Sequence, residues 1–231
     1  VEKHSEHLPL GTDFLNAHRI ACRAAEIEPA VVFPPFYFGQ IYEARCFPGT
    51  ITLRPTLLIE LLQGVFDEIG RNGFDKIVVY NGHGGNNHLL GFLAQCSLWE
   101  PKPYSVYIPR QRLSPEQAAA WKEMRDTSLG GHACESETST SLGNHPELVQ
   151  MEKVPDEPAR PLARLAHLPP TMTGIWWYAD YPEHYAGDAR SASEAKGRAL
   201  VGWIADSLAE YIAAVNSDQV VPALEAESFE R

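Results

Sequence analysis

The sequence predicts an α/β fold, a three-layer α/β/α arrangement with a mostly parallel central sheet, and two observations predict it. Short apolar runs alternate with stretches of helical periodicity between residues 13 and 125. Strand, helix and strand follow at a spacing that suits a right-handed crossover, which makes neighbouring strands parallel. At 231 residues, one domain over 1–231 is long enough to bury a substantial core.

The elements follow in order. Phe14, Leu15, Ala17, Ile20, Ala21, Ala24 and Ala25 recur at helical spacing from Asp13 to Glu26, and Pro29 closes that helix. Ala30 to Phe33 reads as a buried strand ended by Pro34-Pro35. The loop after it carries Tyr37, Phe38, Gly39, Tyr42 and Glu43. Leaving a strand's carboxyl end, it is a candidate active-site wall, with Tyr42 and Glu43 as substrate-binding candidates; a purely structural aromatic loop is the alternative. Pro55 opens a helix striped by Leu57, Leu58, Leu61, Leu62, Val65, Phe66 and Ile69 and ending near Asn72-Gly73. Lys76 to Tyr80 is a strand, about Asn86 to Leu98 a helix, Tyr104 to Ile108 a strand and about Ser114 to Arg125 a helix. Pro146 to Pro170 reads as an extended excursion, and the aromatic run Met172 to Tyr185 as a pocket lining or a subunit interface, making 146–190 a surface or interface arm. Ser191 to Val215 is an amphipathic helix, and 216–231 is expected to be a frayed acidic tail.

Bulk composition narrows the function. A net charge of −11 and a pI near 5.3 argue against nucleic acid or an anionic membrane as a partner. No run of about 18 apolar residues is present and the opening segment is no leader, so a cytoplasmic location is expected. Cys22, Cys46, Cys96 and Cys134 are widely spaced, as in reduced intracellular thiols.

Chemistry concentrates in three clusters. The first is Glu2-Lys3-His4-Ser5-Glu6-His7-Leu8-Pro9-Leu10-Gly11-Thr12-Asp13. In an extended segment Glu2 and His4 share a side and can face one ion or ion pair, while Thr12-Asp13 starts a helix that leaves the Asp13 carboxylate at its N-terminus. Carboxylates with imidazoles suit Zn, Mn or Fe(II). The second is Asn81-Gly82-His83-Gly84-Gly85-Asn86, placing His83 at a strand's carboxyl end and letting the backbone at Gly84 approach a bound group. It matches neither nucleotide-binding glycine pattern. The third is Gly130-Gly131-His132-Ala133-Cys134-Glu135-Ser136-Glu137-Thr138-Ser139. His132 and Glu137 would lie about 140° apart on a regular helix, so His132 is expected just before the helix and Glu137 within it. His18, His145, His167 and His184 have no partner at motif spacing and read as ordinary histidines; His88 reads as packed on its helix.

These residues resemble the creatininase (creatinine amidohydrolase) family. Its Glu-x-His-x-x-His-Leu-Pro-x-x-Thr-Asp pattern stands as Glu2 to Asp13, its Asn-Gly-His-Gly-Gly-Asn as Asn81 to Asn86 and its His-Ala-x-x-x-Glu-Thr-Ser as His132 to Ser139. Phe47-Pro48-Gly49-Thr50 looks like a fourth motif, with a weaker likeness at Gly187-Asp188 and Ala192 to Gly197. The resemblance implies a dimetal amidohydrolase with Asp13 bridging two divalent ions, Glu2 and His83 on one and His4 on the other, a bridging water as nucleophile and His132 as acid/base. Creatininase itself has a carboxylate where this chain has Gly85; Glu137 or a water is expected to replace it. Creatininase also has a carboxylate before its acid/base histidine, where Gly131 stands, and tryptophans around its ring substrate, which Ser128 and its neighbours do not supply. The implied substrate is a small-molecule amide, cyclic or of formamide type, rather than creatinine. The resemblance also implies a homo-oligomer, a hexamer, and a hydrophobic strand before Val1. Two other readings stay open: a metallopeptidase acting on a short peptide, and a catalytically silent metal-binding scaffold.

Overall fold

The computed structural model describes residues 1–110 and 113–231. Its helices are α1 (Thr12–Ile27), α2 (Pro55–Arg71), α3 (Asn86–Cys96), α4 (Pro115–Met124), α5 (Glu135–Asn144), α6 (Trp176–Asp180), α7 (Glu194–Ser217) and α8 (Val220–Phe229), and its strands β1 (Lys76–Val78) and β2 (Ser105–Tyr107). β1 and β2 pair in parallel, with Ile77 opposite Val106, and the Val79 amide extends the ladder to Tyr107 O at 2.9 Å.

Alternation along β1 assigns the layers. Ile77 and Val79 pack with Leu58, Leu62 and Phe66 of α2 and Leu90 and Leu93 of α3. Val78 and Tyr80 pack with Ile20 of α1 and Val201, Ile204, Leu208 and Ile212 of α7. Successive residues therefore face opposite helical layers, the signature of a strand covered on both sides. Each large buried aliphatic side chain contributes roughly 1.5–3 kcal/mol. That outweighs the missing side-chain cap of α1, a feature worth about 1 kcal/mol, since Gly11 opens α1 at φ 79° with no side-chain cap bond.

The sheet is smaller than the sequence suggests. Ala30 to Phe33 is not a strand, because it has neither cover nor a ladder partner among the described residues: Val31 is 76% exposed and Phe33 47%. Nearby, Ile51 N donates to Val1 O at 2.9 Å, and the Val1 amino group donates to Tyr37 O and Ile51 O. The expected frayed tail is also corrected. Residues 220–229 form α8, docked beneath β2 through Ser105 to Glu225 and through Tyr107 to Asp218 at 2.8 Å. Lys76 Nζ donates to the carbonyls of Val215, Asn216 and Asp218 where α7 ends, satisfying orphan C=O groups of the helix terminus.

α5 lies directly on α7. A Cβ on Gly197 would sit 1.7 Å from Ser139 O, so only glycine lets the backbones meet there. This contact fixes the start of α5, where Glu135 accepts from the amides of Asp126 and Thr127 and pairs with Lys196 at 2.5 Å. Residues 146–190 fold back over the same end: His132 pairs as an isolated antiparallel bridge with Ala186, and Ala159 with Gly187.

Candidate metal centre

Three segments distant in sequence converge at the carboxyl end of β1. Glu2 and His4 come from the opening segment, Asp13 from the first turn of α1, His83 from the turn before α3, and His132 and Glu137 from the loop and first turn around α5. Glu2 and His4 are almost wholly buried. The opening segment is tied down by Gly11 N to Glu2 O at 3.0 Å and by Gln150 N to His7 O at 2.9 Å.

Among the described residues the ligand-type atoms form three trios, in each of which all three lie within 4.8 Å of one another: Glu2, His132 and His184; Glu2, Asp13 and His83; and His4, His132 and Glu137. Asp13 stands between the last two. Its Oδ2 is 3.2 Å from His83 Nδ1 and its Oδ1 is 3.1 Å from His4 Nε2. Glu2 Oε2 lies 2.9 Å from His83 Nδ1, yet it is buried with no hydrogen-bond partner. A buried carboxylate oxygen so placed is costly unless something else satisfies it. Glu137 Oε2 accepts from Ala133 N at 2.6 Å and stands 4.0 Å from His4 Nε2. The donor sets are carboxylate and imidazole with no thiolate, which fits Zn, Mn or Fe(II).

Electrostatics follow this crowding. Burial opposes charge on His4, but Asp13, Glu2 and Glu137 hold its pKa up at about 9. Burial likewise opposes charge on His83, and the Asp13, Glu2 and Glu43 carboxylates overcome it and raise its pKa. Asp13 is pushed up by burial and pulled further down by His4 and His83, ending well below the usual range. Glu137 is raised, chiefly by burial. His132 is driven well below its ordinary value by burial and by neighbouring His4 and His184. These opposed shifts within one pocket mark a functional site better than any one of them alone.

Hydrogen-bond chemistry assigns the donors. A carbonyl only accepts, so His132 Nε2, 2.9 Å from Lys3 O, carries the proton and leaves Nδ1 as a lone pair toward the site. A carboxylate only accepts as well, so His83 Nε2 donates to Glu43 Oε1 at 3.1 Å, while Nδ1 faces Glu2 and Asp13. Glu43, expected on the substrate wall, is thus committed to His83, and its Oε2 accepts from Gln40 at 2.8 Å. Gly85 makes room for this pair: a Cβ there would lie 2.3 Å from His83 Nε2 and 2.6 Å from Glu43 Oε1. Glycine at 85 and glutamate at 43 therefore belong together. Beside them Gly84 opens onto free space, and Tyr42 donates to Leu53 O at 3.1 Å from a partly exposed position.

Two residues outside the candidate site set join it: His184, which reads as an ordinary histidine, and Trp177, from the aromatic run that reads as a pocket lining or an interface. His184, fully buried, donates to Glu2 Oε1 at 2.9 Å, and Trp177 Nε1 donates to His184 Nδ1 at 2.9 Å. The Trp177 ring also stands edge-on to His132, 6.0 Å between centroids, so a tryptophan reaches the site from α6 rather than from the segment before His132. No spacing rule reveals His184, which lies 182 residues from its partner Glu2; the aromatic density around it was the available signal.

The creatininase family model, described as creatinine amidohydrolase, matches residues 1–212. The chain belongs to the creatininase family. Among its relatives, a mycofactocin precursor peptide peptidase of Mycobacterium ulcerans is 30% identical over 225 residues, covering 92% of this chain and 81% of the relative. A creatinine amidohydrolase of Pseudomonas putida is 27% identical over 179 residues, covering 68% and 66%. A Bacteroides fragilis protein assigned as a creatinine amidohydrolase superposes with TM-score 0.79 at 27% identity, covering 95% of this chain and 87% of that one. A solved creatininase in a Mn form gives TM-score 0.77 at 23% identity, covering 91% and 86%, which speaks to the fold. The chain is thus a creatininase-family hydrolase with candidate metal-binding residues. Among the described residues no helix is long and apolar enough to cross a membrane.

Proposed function

We propose that this chain is a dimetal amidohydrolase that cleaves a non-peptide C–N bond of a small molecule, a cyclic amide or a formamide. The observation that carries this is the pair of carboxylate and imidazole trios meeting at Asp13, with Glu2 Oε2 buried and unsatisfied among them. Glu2, Asp13 and His83 would hold one divalent ion; His4 and Glu137 would hold the other with Asp13 shared. When bound, such ions supply a nucleophilic water at neutral pH and polarise the amide carbonyl.

The protein's own groups supply the rest. His132 keeps Nε2–H on Lys3 O, so its Nδ1 lone pair is the atom placed to accept a proton and pass it to the departing nitrogen. Glu43 fixes the His83 ring by its second nitrogen, the arrangement that sets a ligating histidine's tautomer and orientation. Space beside Gly84 and the partly exposed ring of Tyr42 are where the substrate would enter.

A second reading, cleavage of a short peptide, is favoured by the fuller likeness to the peptide peptidase, which covers 92% of this chain against 68% for the creatinine amidohydrolase. One experiment separates the readings. The purified protein is stripped with a chelator, reloaded with Zn or Mn, and assayed on cyclic amides, formamides and short peptides. Metal-dependent turnover of the first two classes supports the leading reading, and turnover of peptides alone transfers the assignment to the second. About two ions bound per chain with no turnover in any class would point to a silent scaffold.

A further inference from the structure

We propose that His184, locked by Trp177, is the positioning residue that dictates which oxygen of Glu2 is offered to a metal ion. This rests on the dimetal reading above. Indole Nε1 only donates, so its 2.9 Å bond makes His184 Nδ1 the acceptor. A neutral imidazole then carries its proton on Nε2, and that atom donates to Glu2 Oε1 at 2.9 Å. Oε1 is thereby occupied, and Oε2 is the oxygen left among Asp13 and His83 without a hydrogen-bond partner.

His184 is a donor to a ligand and not a ligand itself. Glu2, His132 and His184 also bring ligand-type atoms within 4.8 Å of one another, which suggests a third ion site. A neutral imidazole has one lone-pair nitrogen, and in His184 it is spent on Trp177. The ring packs against two others, stacked 5.0 Å from Phe47 and tilted 4.1 Å from His132 between centroids. Its backbone adopts φ 55°, a left-handed conformation that a non-glycine residue keeps only where its surroundings over-determine it. The aromatic run of residues 172–185 thus has a function at the site: it carries both members of the lock.

The test is metal titration of the full chain with Zn, by calorimetry with a competing chelator, on wild type, His184→Ala, His184→Gln and Trp177→Phe, each checked for folding by circular dichroism. Two ions are expected for wild type. His184→Ala should weaken one of them about 10–100-fold, the usual effect of losing an outer partner of a ligand, and leave the other in place. His184→Gln, whose amide N–H can reach the same carboxylate, should recover most of that loss, which a merely structural role would not predict; it also carries the test if the alanine variant fails to fold. Side-chain ¹⁵N spectra should show His184 as the Nε2–H tautomer alone in wild type and as a mixture in Trp177→Phe. Two ions bound with unchanged affinity in both His184 variants, or the other tautomer in wild type, overturns the proposal and leaves the dimetal reading standing. No ion bound by wild type overturns both.

Discussion

The two ligand trios differ in chemistry and in support. Glu2, Asp13 and His83 supply two carboxylates and one imidazole, and two of the three are braced from outside, Glu2 by His184 and His83 by Glu43. His4, His132 and Glu137 supply one carboxylate and two imidazoles, braced mainly by backbone, His132 on Lys3 O and Glu137 on Ala133 N. The proposed ion sites themselves, Glu2, Asp13 and His83 on one side and His4, Asp13 and Glu137 on the other, each hold two carboxylates and one imidazole, so what separates the two sides is their support. The first is held by side chains that mutation can remove singly. The second is set by the loop that carries it.

The largest test of this contrast is to remove what the trios share. Asp13→Ala takes away the contact to both His4 and His83 and should abolish binding of both ions and all turnover, as elemental analysis and an amide assay would show; retention of one ion would mean that Asp13 belongs to one side alone. Next in size is His132→Gln. If His132 handles the proton, kcat should fall about 10²–10⁴-fold with metal content unchanged, whereas loss of the second ion would make it a ligand instead. Comparing Glu2→Gln with Glu137→Gln then sharpens the difference between trios. Each should reduce about two bound ions to one, as elemental analysis would show, the ion retained in Glu137→Gln being the one held by Glu2 and His83 and the ion retained in Glu2→Gln the one held by His4. The smallest effect is expected from Glu43→Gln, which leaves His83 in place and weakens its brace: metal affinity of the first trio should fall about 10-fold, the lower end for an outer partner. Gly85→Ala should do at least as much harm, because its Cβ would meet both members of that pair.

Much of this was legible in the chain. Helix α1 was expected from Asp13 to Glu26 and runs Thr12–Ile27; α2 was expected from Pro55 to near Asn72 and runs Pro55–Arg71. Periodicity and terminal residues carry that information locally. The strand at residues 30–33 was misread because an apolar run is necessary for a buried strand but a partner and a cover are also required, and neither is written in the run itself. Residues 216–231 were misread for the converse reason: a helix whose apolar residues form no one-sided stripe is held by Ser105 on Glu225, while Tyr107 on Asp218 and Lys76 on the carbonyls of Val215, Asn216 and Asp218 fix the turn that leads into it.

By itself the sequence determined which residues could bind a metal or move a proton, because Glu, His and Asp at motif spacing have that chemistry wherever they lie, and it determined the family. Tertiary structure alone decided which oxygen of Glu2 stays free, which nitrogen of His132 is protonated, and that Glu43 accepts from His83 Nε2. Those outcomes depend on donors and acceptors brought within about 3 Å by segments far apart in sequence, such as His184 on Glu2 and Glu43 on His83, and at that distance the direction of one hydrogen bond settles the chemistry of the next atom.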